Sequence, residues 1–424
     1  MTTPHTGPAL DALNGLSVGD ALGAQFFVPA TARTHLHART VPPGPWPWTD
    51  DTEMACSVYA AHTERGGIDV FDLTHAFARR HDFDRGYGPS ANRLLRLVRE
   101  GGDARALAAG LFDGRGSYGN GAAMRVAPLG AAYADDPVRA VRPAVASALI
   151  THTHPQAVDG AVAVAVAAAV AVRARTTRTT PEGFLAEVRR LTPRGAVQDG
   201  LTKAIALLAE DPGCDRAAWV LGNGSRTSAA DTVPYALWCA ARRLTDYPAA
   251  ILDAVSVGGD ADTVAAITGG VVAAHTGTAG IPAAWLAARE PLPAWAFPVP
   301  GGVSGGRDDA ELLVPRSCPV PDVVWTDAQW QRLRTGATAD RRWRLHTREG
   351  TLRVCRADGH PVWELTVAPG RAGWRPVAAV VETCPHRAPG PRDGADGGDG
   401  GDGADGGLPA GLLRAVAGGE PAGT

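Results

Sequence analysis

The chain has 424 residues, 45% of them hydrophobic, and a formal net charge of -3, which is material for one large domain with its own core and a smaller unit besides. So even a charge balance excludes the polybasic surface of a non-specific nucleic-acid binder and supplies no field for an anionic membrane, so any ligand is recognised at a local site. The 6 cysteines, Cys56, Cys214, Cys239, Cys318, Cys355 and Cys384, form no C-x-x-C pair and are expected to be reduced thiols. The first residues carry no basic start followed by an apolar run, and the expectation is a cytoplasmic protein.

From residue 10 to 289, Ala-rich segments of helical spacing alternate with Gly-rich loops. Helices are predicted over 73–80, 92–99, 138–150, 156–173, 181–190, 201–209, 232–244 and 263–275, and no stretch reads convincingly as a strand. The expected fold is all-α: a large compact multi-helix domain wrapped around a central pair of apolar helices, with loops carrying the chemistry. The apolar run 161–172 is shorter than the roughly 20 residues of a membrane span and is read as a core helix. Residues 290–320 are rich in Pro and Gly and read as a linker. A small β-rich accessory region is expected over 321–385, its strands lying between 341 and 384 and separated by Glu-Gly, Asp-Gly and Pro-Gly turns. The Gly/Asp-rich tail, 386–424, lacks the alternate apolar residue that a calcium-binding solenoid would need, and is expected to be disordered.

Two blocks stand out chemically. Residues 49–54 read TDDTEM and open an apolar helix, where a capping role alone would account for a hydroxyl or a carboxylate. Residues 256–263 read SVGGDADT, again at a loop-to-helix junction, with Gly258 and Gly259 allowing close backbone approach. One acceptor suffices to cap a helix, so two such blocks far apart in the chain are better explained by a shared site. Oxygen-only donors without His or Cys point to Mg²⁺ or Mn²⁺, and the number of donors suits a pair of ions. Residues 115–121 read RGSYGNG, which taken alone is a flexible turn. Taken alone, LGNG at 221–224 is a turn, and the histidines of THTHP at 151–155 are surface or capping residues.

In chain order, the blocks at 15–23 (GLSVGDALG), 49–54, 116–125 (GSYGNGAAMR) with Pro128, Thr151-His152, 221–224 and 258–263 (GGDADT) resemble the ADP-ribosylglycohydrolases. These include the ADP-ribosylarginine and ADP-ribosylserine hydrolases and the dinitrogenase reductase-activating glycohydrolases. The resemblance covers residues 10–289 and implies an enzyme that removes ADP-ribose from an acceptor with two Mg²⁺ or Mn²⁺ ions. It implies Thr49, Asp50, Asp51, Asp260, Asp262 and Thr263 as metal ligands, with Asp51 or Asp262 taking a proton as general base. It also implies that Arg115, Gly116, Ser117, Tyr118, Gly119, Asn120 and Gly121 cradle the diphosphate and distal ribose, that Met124 and Arg125 buttress this loop, that His152 borders the ribose, and that Leu221 is part of the pocket wall. Asp20 is expected to anchor a helix behind the site, and His154 to be a bystander. Two departures matter: Phe27 stands where many relatives have a glutamate, and only Asp82 and Asp84 offer carboxylates in the loop where arginine-directed relatives carry one. The expected partner is an ADP-ribosylated protein or a small ADP-ribosyl compound such as O-acetyl-ADP-ribose, with neither nucleic acid nor membrane. The rival readings are a non-catalytic ADP-ribose binder and a β-rich region that recruits a partner protein.

Overall fold

The computed structural model describes residues 7–27, 29–297, 326 and 328, and five strand segments between Pro315 and Glu382. The chain forms two compact units, Met1–Gly301 and Gly302–Thr424.

Among the described residues of the first unit, all regular structure is helical, and the only β-type pairings are the isolated bridges Trp46 to Arg289 and Gly119 to Ser228. The predicted helices are present, mostly longer at the N-terminus than periodicity suggested: Val70–Arg80, Pro89–Arg99, Pro155–Arg173, Pro181–Leu191, Ala196–Glu210, Ala229–Arg242 and Ala261–Thr276. Several begin with a proline in the first turn, where its missing N–H has no intrahelical partner to lose. Segment 138–150 is the exception, dividing into a 3-10 turn Pro137–Ala140 and a helix Val141–Leu149. Pro143 has no N–H to give and its ring would press on the carbonyl of Arg139, so a continuous helix from Pro137 is excluded.

The expected central pair is a trio. Pro8–Gly23, Pro155–Arg173 and Ala261–Thr276 are buried along most of their length, as suits helices that are apolar all round. Pro8–Gly23 and Ala261–Thr276 run antiparallel with their backbones in near contact. Gly15, Gly19 and Gly23, one turn apart, face Gly269 and Ala273, then Ala265, then Ala261. A Cβ at Gly19 would overlap the Ala265 carbonyl, and one at Gly23 would lie 2.7 Å from the Asp262 Cα. Small residues at this spacing let the two axes approach more closely than side-chain packing permits. The approach fixes the end of the first helix against the beginning of the last, where an acidic block lies.

The second unit contains one antiparallel sheet, in the order Pro315–Ser317, Gly373–Glu382, Pro361–Gly370, Thr351–Arg356, Trp343–Arg348. Two tight hairpins, closed by the pairs Arg348 to Thr351 and Gly370 to Gly373, join neighbours. The first of these strands falls inside the segment read as linker. The tail 386–424 lies outside the described residues.

Candidate functional site: an acidic centre between two helix N-termini

Thr49 caps the helix Asp50–Arg65, its Oγ1 accepting from the Asp51 N–H at 3.4 Å. Asp50, Asp51 and Glu53 occupy the first turn, where the helix dipole favours negative charge. Behind them Asp20, fully buried, accepts from the Thr49 N–H (3.0 Å) and hydroxyl (2.7 Å) and from the Thr52 N–H (3.1 Å) and hydroxyl (2.5 Å). The central glycine-stacked helix therefore holds the acidic turn through one carboxylate.

The other acidic block is delivered by Gly258 and Gly259, with φ of 64° and 77°, a region that side chains rarely adopt. Asp260 donates its N–H to the Asn223 carbonyl (3.1 Å), and its Oδ2 accepts from Asn120 Nδ2 at 2.6 Å. Asp262 Oδ1 accepts from the Thr263 N–H at 2.7 Å. The blocks meet where the Thr263 hydroxyl donates to Asp51 Oδ1 at 3.3 Å.

These carboxylates perturb one another. Burial, then the charge of Asp20, with Asp260 and Glu53 contributing, pushes Asp50 up to about 8. Burial raises Asp51 and Asp262 well above the carboxylate range, Asp20 and Asp262 adding to the first, Asp260 and Asp20 to the second. Asp20 and Asp260 are raised by burial as well, against hydrogen bonds that pull the other way. Asp51 Oδ2 is buried with no hydrogen-bond partner. Clustered carboxylates and an unpartnered buried acceptor are chemically suited to positive charge. Oxygen-only donors fit a hard divalent cation. Among the described residues, no three His, Cys, Asp or Glu side chains are already gathered as a metal cage. Asp262 Oδ1 is engaged by the Thr263 N–H and Asp260 Oδ2 by the Asn120 amide.

The glycine loop borders this centre. Asn120 ties it to Asp260 and also donates to Thr232 Oγ1 at 3.0 Å. The loop is pinned from the other side by Asn120 N–H to Thr227 O and Ala229 N–H to Tyr118 O. Ser117 is buried, its Oγ accepting from Gly119 N–H. Gly116, at φ 73°, runs so close to Thr153 that a Cβ would overlap that hydroxyl. Tyr118 is exposed, its ring 5.7 Å from that of Phe112 and 5.8 Å from that of His154. Arg115 is exposed and folds back, its Nε donating to the Phe112 carbonyl. His152 lies beneath: a Cβ added to Gly121 would come 2.9 Å from its Cε1 and 3.2 Å from its Nε2. It precedes the next helix, which is capped by His154, whose Nδ1 accepts from the Gln156 N–H. Leu221 is buried, and the turn after it, through Asn223 and Gly224, packs on Asp260.

Sequence reasoning gave Glu53 no role, and in the loop after the helix Val70–Arg80 it named only Asp82 and Asp84. Buried Glu53 accepts from the Tyr87 hydroxyl (2.6 Å) and the Asp82 N–H (3.2 Å), bringing residues 82–87 to the acidic turn. Arg85 secures the loop, pairing with both Glu290 oxygens (2.7 and 2.8 Å), donating to the Trp48 carbonyl and stacking 3.4 Å over the Trp48 ring. Asp82, Phe83 and Asp84 are exposed on it. Phe27 is half exposed beyond Gly23. A TDDTEM block signals its glutamate, but nothing local to residue 87 marks its partner.

The fold and this site define an all-α unit with a carboxylate centre shared by two helix N-termini beside a glycine loop. Residues 2–311 match the family profile described as ADP-ribosylglycohydrolase, and the chain belongs to that family of glycosidic-bond hydrolases. It is 28% identical over 318 residues to ADP-ribosylhydrolase ARH3 of Mus musculus, covering 64% of this chain and 85% of that protein. It is 33% identical over 285 residues to an uncharacterized protein of Archaeoglobus fulgidus, covering 64% and 88%. A solved structure titled "ADP-ribosylglycohydrolase-related protein complex" aligns at a TM-score of 0.49 and 29% identity, over 67% of this chain and 92% of the other.

Proposed function

We propose that the protein hydrolyses the bond between C1 of the distal ribose of ADP-ribose and an acceptor on a modified protein, with two Mg²⁺ or Mn²⁺ ions held by Thr49, Asp50, Asp51, Asp260, Asp262 and Thr263. The observation that carries this is the Thr263 to Asp51 contact, which closes two remote acidic turns on one under-neutralised centre beside the glycine loop. The ions, when bound, supply positive charge to these carboxylates and make a nearby water more acidic.

The rest falls to the chain. Cleavage develops oxocarbenium character on the ribose, and a carboxylate-rich wall stabilises it. Asp51 or Asp262 accepts the proton of the attacking water and passes it to the leaving group; the Oδ2 of Asp51 has no hydrogen-bond partner within the fold. Asn120 holds Asp260 and the glycine loop in one register, so that the diphosphate is anchored at a fixed distance from the acidic centre.

Turnover of ADP-ribosylated protein, measured with EDTA and after returning Mg²⁺ or Mn²⁺, tests the proposal. Loss with the chelator and recovery with either ion is expected, together with a fall of at least about 100-fold in Asp51→Asn and Asp262→Asn. Full hydrolysis by both variants, or turnover indifferent to EDTA, overturns it. Acetylated ADP-ribose, run beside arginine- and serine-linked substrates, identifies the acceptor.

A further inference from the structure

Beneath the glycine loop lies a buried cation without a carboxylate. Arg125 is fully buried; its Nη2 donates to the Ser147 carbonyl (2.7 Å) and to Thr151 Oγ1 (3.0 Å), its Nη1 to Met54 Sδ (3.4 Å), and its guanidinium lies 4.6 Å from the centre of the Phe77 ring. Thr151 Oγ1 stands 2.7 Å from His152 Nδ1.

An arginine can only donate, so Thr151 uses a lone pair on Arg125 and keeps its own proton to give. Among the described residues the only acceptor bonded to that hydroxyl is His152 Nδ1. Giving that proton to the ring makes the imidazole accept at Nδ1 and carry its own proton on Nε2, which faces Gly119 and Gly121, where an added Cβ at either would come within 3.2 Å. The ring is buried, and the nearby guanidinium joins burial in opposing its protonation.

We propose that Thr151, held by Arg125, is a positioning residue that fixes His152 as the Nε2–H tautomer and so aims one hydrogen-bond donor at a ribose or phosphate oxygen of ADP-ribose on the glycine loop. The proposal rests on the functional reading above. It assigns a task to the Thr-His dipeptide that a purely structural role does not require: an indifferent hydroxyl would leave the imidazole free to exchange tautomers.

The test uses the full chain with ¹⁵N-labelled histidine and reads the His152 ring nitrogens at neutral pH, assigned by difference from His152→Asn. Wild type is expected to show a protonated Nε2 and a hydrogen-bonded, unprotonated Nδ1. Thr151→Val should give a mixture of tautomers and about tenfold weaker ADP-ribose binding, and Thr151→Ser should restore both. A wild-type ring protonated on Nδ1 overturns the proposal whether or not any variant folds. So does a folded Thr151→Val with an unchanged spectrum and unchanged affinity. If wild type takes up no ADP-ribose at all, the functional reading fails, and the tautomer comparison still decides what Thr151 does.

Discussion

Asp20 shows how far one side chain behind the site governs it. Its carboxylate answers four donors from Thr49 and Thr52, and asparagine would face one of them with an N–H₂. We expect Asp20→Asn to lower stability by roughly 1–3 kcal/mol and to weaken Mg²⁺ or Mn²⁺ uptake, read by thermal melts and titration calorimetry; unchanged uptake would show that the cap does not depend on this anchor. His152 carries a pH signature. Burial first, then Arg125, lowers it to about 3 from the ordinary 6.5. The unfolded chain therefore gains a proton on acidification near pH 6.5 that the folded chain refuses until about 3, so this group costs stability progressively as pH falls through that window. Melts of His152→Asn between those limits should lose less stability on acidification than wild type, and parallel curves would contradict the assignment.

At the scale of elements, the glycine ladder decides where the acidic turns stand. Gly19→Ala places a methyl on the Ala265 carbonyl, and an overpacked backbone contact of this kind costs about 1–3 kcal/mol or more. Because the same contact seats Asp20 and Asp262, it should weaken metal binding too; a variant as stable and as active as wild type would mean that the helices part without consequence. The loop held by Arg85 is a second case. Arg85→Lys keeps the charge but gives up the bidentate pair with Glu290 and the planar stack on Trp48. The expected result is a modest loss, on the order of 1 kcal/mol, read from the melting temperature, with an increase in KM larger than the fall in kcat if residues 82–87 border the acceptor.

For the whole molecule, the division after Gly301 separates a helical unit that contains every candidate site residue from a unit built on one antiparallel sheet. A chain ending at Gly301 should fold with an all-helical circular dichroism spectrum and retain hydrolysis of a small ADP-ribosyl substrate. Loss of its cooperative melt would mean that the second unit completes the core.

Much of this was legible beforehand. The helical period of 156–173 or 181–190 is local information, since a buried stripe needs apolar residues every three to four positions. Both acidic blocks announced themselves because charged clusters at two helix starts exceed what capping needs. The glycines at 15, 19 and 23 were visible as letters, but their use was not: only a second helix laid against them reveals why side chains are excluded. The same holds for Tyr87 on Glu53, Asn120 on Asp260 and Arg125 on Thr151. The sequence by itself determined which segments coil, which turns are acidic and to which family the blocks belong. Tertiary structure alone decided that Thr263 reaches Asp51 and that His152 lies under the glycine loop, because contacts between residues remote in the chain are set by how whole helices pack and leave no periodic trace at either end.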